Sequence, residues 1–118
     1  MPHELEKDLL KCEQALFEMQ GKYPDIARNA ANARYIYDMA WANAVDNIAH
    51  RTLADGQKPP TVPVQDAMAT KMVATEMENA RQAEAELDVA SMHIKTLQTI
   101  QSSVQTRSKL YIAEMSLK

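Results

Sequence analysis

Residues 83–106 read AEAELDVASMHIKTLQTIQSSVQT, and the pattern of this stretch indicates the fold class. Its apolar and small residues recur at alternating spacings of four and three, which is the periodicity of one face of an α-helix. The pattern extends in both directions, and no glycine or proline follows Pro63. A long helix over about residues 64–116 is therefore predicted, with a regularity typical of coiled-coil arms.

Two breaks precede this helix. Residues 21–24 (GKYP) form the first, and residues 55–63 (DGQKPPTVP) form a longer loop. Glycine and proline interrupt helices, so the remaining chain is predicted to form helices over about residues 3–20 and 24–54. The four-and-three spacing occurs in both of them. The predicted core and oligomer seam consists of Leu9, Leu16, Tyr37, Trp41, Ile48, Leu87, Ile94, Leu97, Gln101 and Val104.

The composition favours an all-α fold for a single domain covering residues 1–118. Apolar residues make up 46% of the chain, aromatic residues only 5%, and there are two glycines and eight methionines. Sheet proteins are richer in β-branched and aromatic residues and have glycine at their turns. Two arms of similar length on either side of loop 55–63 predict an antiparallel helical hairpin, with a kink or break near residues 21–24.

The apolar surface is wider than a two-helix seam can cover. Residues such as Leu10, Phe17, Met39 and Ile100 fall beside the main stripe. A stripe of this width indicates more than two packed helices. We therefore expect a homodimer in which two hairpins form a four-helix bundle. The alternative is a monomeric three-helix bundle, in which residues 3–20 fold back at Gly21–Pro24.

The sequence offers no catalytic or metal-binding motif. The residues three positions before His50 and His93 are Asn47 and Ala90, so the Glu-x-x-His pattern of helical metal sites is absent. One cysteine and three histidines are too few for a typical zinc site. We therefore expect a protein that is not an enzyme, with no catalytic residues, no metal and no cofactor.

Charge and hydropathy favour a cytoplasmic protein without a membrane segment. The formal net charge is −3, which gives no reason to expect tight nonspecific binding to nucleic acid. No apolar run approaches the roughly 20 residues that span a bilayer. The acidic, amphipathic N-terminal stretch differs from a signal peptide, and a single cysteine is typical of a reducing compartment.

Two stretches are candidate interaction surfaces. Methionine is flexible and adapts to partner helices, which favours a protein-binding surface near the loop. The polar stretch towards the C-terminus is locally basic and favours an acidic partner or nucleic acid. The candidate residues are Met68, Met72, Met77, Gln105, Arg107 and Lys109. We expect a helical interaction or adaptor protein that self-associates and binds an unidentified protein. The alternative is an accessory protein of nucleic-acid replication or recombination that uses the basic helix end.

The layout resembles small all-helical proteins, including helical hairpins, that are encoded by phages and prophages and have no known function. Three features carry the resemblance: the stretch ARYIYDMA at residues 33–40, the proline-rich loop, and the stretch LQTIQSSVQTRS at residues 97–108 of the long helix. The resemblance implies a noncatalytic accessory protein. It transfers no site residues to this chain.

Overall fold

The computed structural model describes residues 2–54, 56, 58 and 60–117. Every regular element within those residues is an α-helix: α1 covers Pro2–Ala54, α2 covers Val62–Met72 and α3 covers Ala74–Ser116. The prediction of an all-α fold is therefore confirmed.

Helix α1 is continuous through Gly21 and Pro24, so the predicted break there is wrong. The side chains that continue its inward face across this segment are Met19, Tyr23, Ile26 and Ala30, all buried or half-buried. They keep the four-and-three spacing, so packing of this face stabilises the helix. It outweighs the local cost of about 1 kcal/mol for glycine and about 3 kcal/mol for proline. The alternative three-helix bundle is also wrong, because it requires the chain to fold back here.

The long helix predicted for residues 64–116 is interrupted at one residue. Val73 has φ −110° and ψ 20°, outside helical values. Its amide still donates to the Ala69 carbonyl at 3.1 Å, and its own carbonyl accepts from the Met77 amide at 2.9 Å. Hydrogen bonding therefore continues on both sides of a local irregularity. Valine is β-branched, and for that reason it resists the helical conformation more than the straight-chain residues do.

The start of α2 follows from residues at the end of the loop. Thr61 is the N-cap with an extended backbone, and Pro63 occupies the first turn, where its missing amide hydrogen costs nothing. The Gln65 side chain donates to the Pro60 carbonyl at 2.9 Å. Gly56 has φ 68°, a left-handed conformation that glycine adopts without strain. Of the predicted loop 55–63, Asp55, Gln57 and Pro59 lie outside the described residues.

The chain groups into two compact units, here named by their residues. Unit 1 comprises Met1–Ile26 and Leu87–Lys118, and unit 2 comprises Ala27–Glu86. In unit 2, Ala44 and Ile48 of α1 form a buried cluster with Ala69 and Val73. Further towards the start of α1, Arg34 reaches Glu84 of α3. The α1 segment therefore runs antiparallel to α2 and the start of α3 within this unit.

Unit 1 is built in the same way from the two ends of the chain. Cys12 and Leu16 of α1 form a buried cluster with Leu97 of α3. The Cys12 thiol donates to the Leu97 carbonyl at 3.1 Å, which satisfies its one donor inside the core. Towards the start of α1, Leu5 lies beside Tyr111. The helices of unit 1 are therefore antiparallel as well.

Candidate interaction surfaces

The predicted seam residues all lie on the inward faces of the helices. Leu16, Ile48, Leu97 and Val104 are buried. The half-buried members of the seam are Leu9, Tyr37, Trp41, Leu87, Ile94 and Gln101. These side chains are therefore used to hold helices of the same chain together, and they leave little surface for a partner.

An aromatic pair extends the core cluster of unit 2. The rings of Tyr37 and Trp41 are 6.5 Å apart between centroids, at an interplanar angle of 36°. The Arg34 guanidinium lies 5.6 Å from the Tyr37 ring centroid and pairs with Glu84 at 3.5 Å and Asp38 at 3.4 Å. All three charged side chains are more than half exposed, so each ion pair contributes less than about 1 kcal/mol.

The histidines and the cysteine do not meet. His3, His50 and His93 are exposed, whereas Cys12 is buried. His50 interacts within its own turn of helix, with Nδ1 2.9 Å from the Asp46 carbonyl oxygen. Among the residues that the structure describes, no group of three or more His, Cys, Asp or Glu side chains is arranged to hold a metal ion.

The methionine surface near the loop lies on the outside of unit 2. Met68 and Met72 are exposed, and Met77 is half-buried. Val64 precedes Met68 by four residues and is exposed too. Residues four apart are neighbours on a helix surface, so Val64, Met68 and Met72 form a continuous apolar stripe along α2. The part of the candidate surface that faces solvent is therefore this stripe rather than Met77.

The predicted basic surface is divided between two sides of α3. Gln105, Arg107 and Lys109 are all exposed. Arg107 lines a groove together with Glu4 and Asp8 of α1, so acidic groups already surround it. Lys109 does not line that groove. An anionic partner would therefore meet a weaker positive potential at Arg107 than the sequence alone indicates.

A second groove lies where the start of α1 packs against the end of α3 in unit 1. Leu5, Tyr111, Ile112 and Met115 supply most of its apolar lining, and its volume is about 450 Å³. Glu6, Ser108 and Ser116 complete the lining. Ile112 and Met115 are more than half exposed. This groove is open to solvent and would accept an apolar side chain from a partner.

The outer face of α1 in unit 1 carries an exposed Leu–Phe pair. Leu10 is 57% exposed and Phe17 is 79% exposed. They line one shallow groove with Glu13, Gln14 and Glu18. Both apolar residues were predicted to lie beside the seam, whereas the acidic rim around them was not predicted. The signal was present in the sequence, since Glu13 and Glu18 lie within one turn of Phe17.

Comparison with models of protein families, with curated proteins and with solved structures finds no match for this chain. The resemblance to phage-encoded helical proteins therefore rests on the sequence pattern alone. Within the described residues, none of the helices combines the length and the hydropathy that a membrane span requires.

Proposed function

We propose that this chain is a non-enzymatic helical interaction protein that self-associates and binds another macromolecule. One observation carries the proposal: large apolar side chains are exposed in both units. They include Leu10, Phe17, Tyr35, Ile36, Met39, Met68, Met72, Val89, Met92, Leu110 and Ile112. Single exposed apolar residues are common on soluble proteins, but groups of them on one face are typical of binding sites.

The stripe Val64, Met68 and Met72 on α2 is the proposed site for a protein partner. Methionine has an unbranched, polarisable side chain that packs against surfaces of varied shape. A helix with apolar residues at the same spacing would bury the stripe in a helix-against-helix contact.

Affinity purification from the native cell tests this site. We expect the wild-type chain to retain a protein that the double variant Met68→Ser, Met72→Ser loses, because serine removes the apolar contact. Met92→Ser is the matched control, since Met92 is exposed on α3 in unit 1. It should retain the same protein. Retention by the double variant as well would contradict a binding role for the stripe.

A second proposed function is binding to nucleic acid through the basic end of α3. Lys95 and Lys109 favour it, because they are exposed and form no ion pair with another residue that the structure describes. Cations of this kind are free to contact phosphates. Arg107 is exposed too, but it shares its groove with Glu4 and Asp8.

Replacing Arg107 and Lys109 with glutamate should abolish such binding and leave folding intact. A gel-shift titration with single- and double-stranded probes at several salt concentrations is the measurement. Phosphate contacts weaken steeply with added salt, so the wild-type shift should disappear as salt rises. A wild-type chain that shifts neither probe at low salt would contradict this function. An unchanged shift by the variant would show that Arg107 and Lys109 are not the residues that contact nucleic acid.

A further inference from the structure

One side of unit 1 combines an acidic surface of α1 with a basic surface of α3. Glu6 and Ile112 line the same groove, so they lie on the same side of the helix pair. Residues seven apart return to the same face of a packed helix. Glu13 therefore lies on the side of Glu6, and Gln105 and Gln98 lie on the side of Ile112.

Neighbouring residues complete this surface. Leu10 and Phe17 follow Glu6 and Glu13 by four residues, and Lys95 and Lys109 precede Gln98 and Ile112 by three. Both spacings make neighbours on a helix. We call the surface that these residues of α1 and α3 form the docking side. Its members, all exposed, are Glu6, Leu10, Glu13, Phe17, Lys95, Gln98, Gln105, Lys109 and Ile112.

We propose that the docking side of unit 1 binds the docking side of a second copy of this chain. This inference rests on the proposed self-association and identifies the surface that mediates it. Charge complementarity indicates that the partner at this surface is a second copy of the chain. Glu6, Glu13, Lys95 and Lys109 form no ion pair with any other residue in the described part of the chain. Two copies facing each other bring the acidic residues of each copy opposite the basic surface of the other.

The symmetry of the pair follows from the charges. A two-fold axis that runs parallel to the helices places α1 of each copy over α3 of the other. Each acidic helix surface then meets a basic one, and the contact occurs twice. An axis perpendicular to the helices would place α1 over α1, and glutamates would face glutamates. Like charges in contact disfavour that arrangement.

The charges at one end of the docking side also lie at matching heights along the helices. Glu6 shares a groove with Ser108, the neighbour of Lys109. Glu13 lies seven residues from Glu6, about 10 Å along α1, whereas Lys95 lies 14 residues from Lys109, about 21 Å along α3. In the proposed pair, Glu6 of one copy therefore faces Lys109 of the other, and Glu13 lies about 10 Å along the helices from Lys95. Leu10 and Phe17 lie among these charges, Ile112 lies beyond Lys109, and all three leave water together.

The face of unit 1 that carries the docking side is large enough for a stable dimer. The 25 residues of α1 within unit 1 span about 37 Å, and two packed helices are about 20 Å wide. Their face therefore covers about 750 Å², close to the roughly 800 Å² per partner of a standard protein interface. A second copy that covers the docking side would form a four-helix arrangement from two helix pairs.

Charge reversal on separate chains tests the contact. The first variant is Glu6→Lys, Glu13→Lys, and the second is Lys95→Glu, Lys109→Glu. Analytical ultracentrifugation should show the wild type as a dimer of twice 13.3 kDa. Each variant alone brings like charges together and should have a dissociation constant raised by about tenfold or more.

An equimolar mixture of the two variants should form a heterodimer with a dissociation constant near the wild-type value. Lysines on α1 of the first variant then meet glutamates on α3 of the second, and the reverse contact is native. The variant Glu78→Lys, Glu86→Lys makes the same change of net charge on exposed residues of unit 2 and should dimerise normally. Unchanged circular dichroism would show that all variants are folded.

The outcomes separate the inference from the proposed function. A wild-type chain that remains monomeric at about 100 μM would overturn both this contact and self-association. A wild-type dimer whose variants dimerise normally, or whose variants fail to recover on mixing, would overturn only the docking side. An effect of charge inside one chain is distinguishable, since mixing separate chains cannot repair it.

Discussion

Replacing Ile48 with alanine should lower the free energy of unfolding by about 2–3 kcal/mol. Ile48 is 4% exposed and packs with Ala44, Ala69 and Val73 in the core cluster of unit 2. Truncation of a buried isoleucine to alanine costs about 2–5 kcal/mol, because buried methyl groups are lost and a cavity remains. The lower half of that range applies because a core between two helices is thin and can relax or admit water.

Ile36→Ala is the matched control for this prediction. Ile36 lies on the same helix and in the same unit but is 49% exposed, so its truncation should change the stability by less than about 0.5 kcal/mol. Urea unfolding followed by circular dichroism, at one fixed protein concentration, measures both variants. Equal losses of unfolding free energy in Ile36→Ala and Ile48→Ala would contradict the position of the seam. A greater loss for Ile36 would place the buried face on the opposite side of α1.

The inward faces of the helices could be predicted from the sequence. The four-and-three spacing is a direct consequence of 3.6 residues per helical turn, and packing requires an apolar stripe at that period. Leu16, Ile48, Leu97 and Val104 were identified in this way, and all four are buried. Small residues such as Ala44, Ala69 and Ala90 occupy the same faces, where they allow the helices to approach closely.

The helix boundaries could not be predicted as well. Glycine and proline preferences are local, whereas the continuity of α1 depends on contacts with α3. The spacing from Met19 through Tyr23 and Ile26 to Ala30 contained the decisive signal, because a loop would have disturbed its phase. The irregularity at Val73 had no such signal, since the apolar spacing passes through it unchanged.

The candidate surfaces were predictable in part. Exposure of Met68 and Met72 followed from their positions beside the seam, as did exposure of Leu10 and Phe17. The predicted antiparallel hairpin already places the acidic start of the chain near the basic end of α3. The sequence did not show that Arg107 shares one groove with Glu4 and Asp8, because the side of the helix pair on which each residue lies depends on how the helices pack. The same holds for the charge pattern of the docking side, which appears only when α1 and α3 are paired.

Replacing Pro24 with alanine should raise the free energy of unfolding by about 2 kcal/mol. Pro24 is exposed in the interior of α1 and has no amide hydrogen to donate to the Gln20 carbonyl. Proline in a helix interior is about 3 kcal/mol less favourable than alanine. Alanine also makes the unfolded chain more flexible, which offsets up to about 1 kcal/mol of the gain. The urea midpoint at fixed protein concentration measures the net effect.

Pro63→Ala provides the opposite case. Pro63 lies in the first turn of α2, where no intrahelical acceptor requires its amide hydrogen and its fixed φ suits the helix. Its replacement should leave stability unchanged or lower it by less than about 1 kcal/mol. A loss of stability in Pro24→Ala would indicate that residues 21–24 need the restricted backbone of proline, as a break would. A gain only at Pro24 would agree with a helix whose continuity is imposed by its buried face, against the preference of the residues on its exposed one.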